Sequence, residues 1–503
     1  MTAAPRDSVG TLPVADAPAD APEAKAPGGF GVRHLEILLM FCGMTIAYML
    51  RVNMSVAIVA MSDSSTSNPD IEDFGWDSST QSYILSSFFW GYVITQIPAG
   101  QIAHLWSAAK LWSLCMFVCG VVNILIPVAA RVGDWGAVCA CRIVMGLSQG
   151  CVLPSVHTLL GKWVPPNERA RLGTYAYAGA QFGTVIGLPV SGLLAASSAG
   201  WPSIFYLVGA ITIAWSVVFF IWGSDSPARH RSIKPAEKDY IETSLGQVDV
   251  QTQHSTPWIK IITSVPVWSL IIVHCGQNWG YWTLLTEMPS YMNHILGFDI
   301  SKVIIRKRCI TFDQYNGFIS ALPYLAMWLL SFPFSWFSDY VIRRGWVSRA
   351  VSRKVSNSIG HWGPAVALMG LGYATAEHTV IAVVILVFAV GLNAGSLCGY
   401  QINHIDLSPN FAGTLMAITN CIANIMSIVA PLICGLIVTD LTDLTQWRTV
   451  FFISAGIYIL CNLVFVLFGK AEVQPWNDTE VKPDSENGRN QSSKKTDGKS
   501  ENK

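Results

Sequence analysis

Two arginines stand where the surrounding residues are apolar. Arg142 lies within the run DWGAVCACRIVMGLSQGCVLP, and Arg51 interrupts the run from Leu35 to Met61. Both runs are long enough to cross a bilayer, where an ionised side chain costs a few kcal/mol and marks a pathway or a buried partner. At a rise of about 1.5 Å per residue, Arg142 lies about 10 Å into its helix and Arg51 about 21 to 24 Å into its own, so antiparallel helices bring the two to one depth. Two planar cations at one level, with Tyr48 and Ser55 a turn to either side of Arg51, suit the clamping of a small anion by paired N–H donors. A purely structural role is the weaker reading, because two cations at one depth repel unless an anion lies between them. Arg51, Arg142 and Tyr48 are therefore the candidate substrate-binding residues.

Other groups could handle a cation or a proton. Gln149 lies two turns beyond Arg142 on the same face, and Gln277 and Asn278 lie about 17 Å along the seventh apolar run. Their amide carbonyls are hard oxygen donors, which makes these three candidate ligands for a cotransported sodium ion. Glu287, near the far end of that run, is the carboxylate that could carry a proton instead. Asp339, His404 and Asp406 end apolar runs beside loops and are candidates for contacts that latch a gate, whereas His157 reads as a packing residue. The His404/Asp406 spacing lacks a full metal-ligand set, the cysteines are scattered through apolar runs, and HExxH is absent. No catalytic residue, resident metal or cofactor is expected. The G-x-S-x-G match at Gly146 to Gly150 sits in mid-helix, whereas a hydrolase nucleophile elbow needs a strand before its serine, so the chain is not expected to be an enzyme.

The elements that must position these residues follow from composition. With 51% hydrophobic residues, 13% charged residues and a mean hydropathy of +0.41, the chain of 503 residues reads as an all-α polytopic membrane protein. Charge is confined to the ends and a few loops, so it reports topology and no nucleic-acid partner. Residues 1–33, rich in Ala, Pro, Gly and Asp, predict a disordered tail; 34–223 hold six apolar runs; 224–265 are a polar linker; 266–469 hold six more; and 470–503 predict a second disordered tail. Lys and Arg cluster in the loops on the side of the N-terminal tail, which places both termini in the cytoplasm. Arg306, Lys307 and Arg308 break that rule on the outer side. An internal repeat sets the architecture: PPNERARL after the fourth run matches SPNFAGTL after the tenth, at an offset that also relates Leu172 to Leu415 and Gly192 to Gly435. Parallel halves of six helices each, twelve in all, are the major facilitator plan. Glycines at 179, 183 and 187, and at 391, 395 and 399, predict close-packing faces.

Several stretches resemble one family. RVNMSVAIVAM (51–61), SSFFWGYVITQIPAGQIA (86–103), RIVMGLSQGCVLPSVHTLLGKWVPPNERARL (142–172), YLVGAITIAW (206–215) and NHIDLSPNFAGTLMAITN (403–420) are similar to the anion/cation symporter family of the major facilitator superfamily. It holds type I sodium-phosphate cotransporters, sialin and the vesicular glutamate transporters. HCGQNWGYWTLLTEMPSYM (274–292) looks most like its insect members assigned to inorganic phosphate cotransport. The resemblance implies that Arg142 is the substrate-associated arginine of the fourth helix and that Arg51 lies near a first-helix arginine. It also exposes departures: Gln149 and Met145 stand where sialin has carboxylates, and Leu85 and Gln277 where glutamate carriers have histidine and arginine. Residues 303–314 lengthen an outer loop. The expectation is a secondary active transporter of phosphate or small organic anions, coupled to sodium, working by alternating access as a monomer in the plasma membrane. A proton-coupled, sialin-like lysosomal or vesicular exporter is the alternative within transport, and an anion channel or non-transporting sensor the alternative from another class.

Overall fold

The computed structural model describes residues 29–62, 71–245, 255–294, 312–374, 379–440 and 442–477. Most of the two expected tails and the basic cluster at 306–308 lie outside them. Of the inserted stretch, 303–311 lies outside, and residues 312–314 open a helix.

Backbone polar groups in lipid must be satisfied within their own segment, and the apolar runs accordingly fold as helices. The first half comprises α1 (Val32–Ser62), α2 (Ser78–Ile102), α3 (Ala108–Gln149), α4 (Val152–Trp163), α5 (Arg169–Ala195) and α6 (Pro202–Trp222). Two short helices, α7 (Pro235–Leu245) and α8 (Trp258–Ile262), occupy the linker. The second half comprises α9 (Val265–His294), α10 (Phe312–Arg343), α11 (Arg349–Leu371), α12 (Thr379–Leu392), α13 (Ile402–Leu407), α14 (Ala412–Ile437) and α15 (Leu444–Phe468). Side-chain caps start several of them: Asp77 accepts from Thr80 N, Ser107 from Lys110 N, and Asp443 from Thr445 N.

These helices make twelve spans among the described residues. The long α3 reverses direction at Gly133 and Asp134, the latter at φ 50°, and so contains the third span and most of the fourth, which continues through a turn at Gly150–Cys151 into α4. Gly150 and Cys151 keep right-handed helical dihedrals, so the fourth span runs on through that turn. Its counterpart in the second half is broken: α12 passes through a wide turn at Leu397–Gln401, where Gly399 leaves helical geometry (φ −86°, ψ −115°), into α13. Asn357 of α11 repairs that break by accepting from Tyr400 N at 3.2 Å.

The repeat is visible in the packing. In the first half α1 lies on α5, α2 on α3, and α3 on α6; in the second half their counterparts make the same pairs, α9 on α14, α10 on α12, and α11 on α15. The glycine ladder of α5 does what its spacing predicts: a Cβ at Gly179 or Gly183 would overlap the carbonyl oxygen of Phe41 or Thr45 on α1. The halves meet where α5 faces α10 and where α2 and α4 face α14.

The linker is stapled to the first half. Glu237 of α7 accepts from the backbone N–H groups of Val32 and Arg33 at 2.9 and 3.2 Å, so it caps α1 from another element, and it pairs with the Arg33 guanidinium at 2.9 Å. Arg33 also holds Glu168 at 3.0 Å. At the other end of the chain, residues 470–477 depart from the expected disordered tail. Gln474 N donates to Leu407 O at 2.9 Å, Asn477 Oδ1 accepts from Ser408 Oγ at 2.7 Å, and Trp476 is buried. The polar composition concealed one indole, one hydrogen-bonding side chain and one backbone donor, enough to seat a short segment on the α13–α14 turn.

Candidate functional site

Tyr48 and Arg51 lie one turn apart on α1; Phe88 and Tyr92 lie one turn apart on α2; Arg142 and Gln149 lie on the second limb of α3. The pair on α2 is stacked, with ring centroids 5.7 Å apart. Arg51 places its guanidinium carbon 4.6 Å from the Tyr92 ring centre, 4.8 Å from that of Tyr48 and 5.5 Å from that of Phe88. Arg142 stands over the same Phe88 ring at 4.9 Å. The two arginines thus share a ring as neighbour. The negative faces of the aromatic rings offset part of their mutual repulsion, at about 0.5–2 kcal/mol per desolvated contact.

Hydrogen bonding leaves this cluster incomplete. Arg51 Nε donates to Gln149 Oε1 at 2.9 Å, so Gln149 serves Arg51 and not Arg142, whose face it was expected to share. Arg142 is buried, yet its Nε and Nη1 have no protein acceptor, and neither has the buried Nη2 of Arg51 or the Nε2 of Gln149. Four buried donors from three side chains therefore converge on no protein oxygen. A buried donor without an acceptor costs about 1–3 kcal/mol, more when charged, and an anion with several oxygens would satisfy them together.

The other candidates occupy separate networks. Gln277 Nε2 donates to Asn393 Oδ1 at 2.5 Å, and Asn278 Nδ2 donates to Ser427 Oγ at 3.4 Å. The Oε1 of Gln149 faces the Arg51 guanidinium, which disfavours a cation there in this conformation. Glu287 lies on α9, but its side chain is outside the described set. Among the described residues no cluster of His, Cys, Asp and Glu could hold a metal ion. The G-x-S-x-G match lies in α3 and its terminal turn.

Toward the end of the bundle that carries the linker, charge ties the halves together. Asp406, fully buried on α13, pairs with Arg169 of the first half at 2.9 Å and with Arg353 of the second at 2.7 Å. Asp339, at the end of α10, accepts from Ala170 N and Arg171 N in the first turn of α5, at 3.2 and 2.7 Å. His404 bonds Thr419 Oγ1 at 2.8 Å and meets His157 edge to face, with ring centroids 5.3 Å apart; His157 Nε2 lies 3.0 Å from Gln401 O across the interface. His157 is thus part of the contact between the halves. Deeper in, Thr419 also meets His274 at 3.1 Å, and the ring of Tyr400 packs against His274, His361 and His404. Asn420 of α14 reaches Tyr92, the ring beneath Arg51, at 3.2 Å. Sequence quoted Phe88 and Tyr92 only as part of a motif. Two aromatic residues at i and i+4 facing an intramembrane arginine were the available signal.

The Major Facilitator Superfamily model matches residues 39–431. The chain belongs to that superfamily. It is 42% identical, over 90% of its length and 88% of the relative's, to a "Putative inorganic phosphate cotransporter" of Drosophila melanogaster, and 36% identical to human sialin over 91% and 93% of the two chains. These place it in the anion/cation symporter family. Its fold is similar to that of the proton:xylose symporter XylE, with a TM-score of 0.61 at 16% identity, over 88% of this chain and 98% of that one. The family member is a multi-pass membrane transporter, and the twelve-helix, two-half expectation stands.

Proposed function

We propose that this transporter carries a small multivalent oxyanion, inorganic phosphate first, between Arg51 and Arg142 by alternating access. The observation that carries this reading is the set of unpartnered N–H donors on two buried arginines and one glutamine. Phosphate presents several acceptor oxygens on one centre, and the free donors come from two helices, Arg51 on α1 and Arg142 and Gln149 on α3. The relatives' names, phosphate cotransporter and sialin, agree with an anionic cargo. Asp406, Asp339 and His404 hold the linker end shut in this conformation, and that end is proposed to face the cytoplasm, in the plasma membrane.

Pulling a divalent anion into a negative interior costs about 2.3 kcal/mol per charge per 100 mV, so accumulation needs a cotransported cation. Sodium is the first reading, since position 149 cannot titrate. Proton coupling is the second, and one observation favours it: His157, His274, His361 and His404 are all buried and lie in a chain of ring contacts through Tyr400 between the halves. Uptake of labelled phosphate into proteoliposomes, with sodium replaced by choline and with a proton gradient imposed separately, tests both. Saturable, sodium-dependent uptake supports the first reading. Uptake that ignores sodium and follows the proton gradient transfers coupling to the histidines, and absence of anion uptake under either gradient overturns the proposal.

A further inference from the structure

A cleft of about 800 Å³ opens at the linker end, lined by none of the arginine pair's residues. One wall is the turn from α8 into the start of α9, with Lys260 and Ser264; another is Lys354 on α11; the third is the end of α15 and the returning segment, with Lys470 and Trp476. Three lysines from three parts of the chain meet there, and no carboxylate lines the cleft; Glu472, on the same segment, does not face it. Among the described residues no ion pair engages Lys260, Lys354 or Lys470. The first turn of α9 borders the cleft, but Pro266 has no N–H and the N–H groups of Val267 and Trp268 are taken by Ser264 O, so the positive charge of the cleft is that of its lysines.

The rim differs from the floor. Ile259, Ile262, Val265, Trp268, Leu467 and Phe468 are exposed around it, and Trp268 Nε1 is bonded to Ile262 O at 2.7 Å. An exposed apolar collar with a tryptophan, at the ends of two membrane helices, belongs at the level where acyl chains meet headgroups. We infer that this cleft binds the phosphate-bearing headgroup of an anionic glycerophospholipid, its acyl chains lying on the apolar collar. Basic clefts with apolar rims select such lipids, each lysine near the surface adding about 1 kcal/mol of attraction. The collar decides between a lipid and free phosphate, which would have no use for it. Because Lys470 O accepts from Asn403 Nδ2 at 2.9 Å and Gln474 N bonds Leu407 O, a lipid bridging Lys470 to Lys260 and Lys354 also clamps the returning segment against the turn that follows Asp406.

Native mass spectrometry of the full-length protein, titrated in detergent with phosphatidylserine or phosphatidylcholine, tests this. The wild type should retain phosphatidylserine preferentially. The K260Q/K354Q/K470Q variant should lose that preference by roughly tenfold or more. A variant with the same charge loss elsewhere at the linker end, K110Q/R231Q/K234Q, should keep it. Five of the six positions are exposed and Lys354 is half-buried, and an unchanged size-exclusion profile checks that folding is intact. Equal loss in both variants would reduce the effect to diffuse attraction, no loss in the first would remove the site, and displacement of the lipid by inorganic phosphate would make it a soluble-anion site; each overturns the inference.

Discussion

A guanidinium stripped of water keeps its charge and must find acceptors, and Arg142 finds an aromatic face and too few oxygens. Removing a charged, hydrogen-bonded contact costs about 2–5 kcal/mol, so Arg142→Ala should slow anion uptake by roughly thirtyfold or more while surface expression holds. Arg142→Lys should be nearly as poor, because an ammonium cannot offer two parallel donors. Near-normal uptake by the alanine variant would remove the site. Gln149→Glu tests its neighbour. A carboxylate beside Arg51 Nε would occupy that guanidinium above its own pKa and release it on protonation, so this variant should transport poorly at neutral pH and recover as the medium is acidified. A flat pH profile would show that Gln149 does not govern Arg51. The arginines themselves were legible in the sequence because charge inside an apolar run is rare. The identity of Gln149's partner was not, since helix periodicity relates it to Arg142 and only the packing of α1 against α3 brings Arg51, 98 positions away, within reach.

At the scale of elements, legibility followed the range of the interaction. Glycines four apart announced a close-packing face on α5, which the structure lays on α1, and Gly183→Leu should abolish folded protein in a fluorescence size-exclusion assay, since even a Cβ overlaps Thr45 O. Polar and charged composition placed the loops, and the repeat placed the halves. The capping of α1 by Glu237 was invisible, because the cap comes from more than 200 residues along the chain. Burial works to raise the Glu237 pKa, but the N–H groups of Val32 and Arg33 and the Arg33 guanidinium outweigh it and hold the carboxyl below its usual value. A depressed carboxyl stabilises the fold above its unfolded pKa and loses that stabilisation as pH falls through the folded one. Docking of α7 should therefore be intact at neutral pH and weaken below the ordinary carboxylate range. Glu237→Gln should lower stability by about 1–2 kcal/mol at neutral pH, the worth of a lost cap and charged hydrogen bond, and flatten the acid limb of a thermal-unfolding profile. An acid limb identical in the two proteins would assign it to other groups.

For the whole molecule, the decisive contacts are those that cross between halves. Asp406 is shared by Arg169 on one side and Arg353 on the other, and removing it leaves two buried cations facing each other, a change of about 3–5 kcal/mol against the closed linker end. The native thiol of Cys398, buried 3.4 Å from Thr174 of the other half, reports on that seam. In a background lacking the other cysteines, Asp406→Ala should raise the maleimide reactivity of Cys398 by at least tenfold, the effect of shifting the two-state equilibrium by more than about 1.4 kcal/mol. Unchanged labelling would mean that the seam is held without Asp406, by its other contacts such as Asp339 with the N–H groups of Ala170 and Arg171 and His157 with Gln401 O. The ring of Phe88, shared by both arginines, bears on the half of the cycle in which nothing is carried. A carrier that delivers its cargo must swing back empty, and two bare cations at one depth would resist that stroke. Here each has an aromatic face to fall back on, so the unloaded protein can return without borrowing an anion from the far side. Net efflux from preloaded vesicles into anion-free medium should then proceed at a rate comparable with one-for-one exchange, and Phe88→Leu should slow the former far more than the latter.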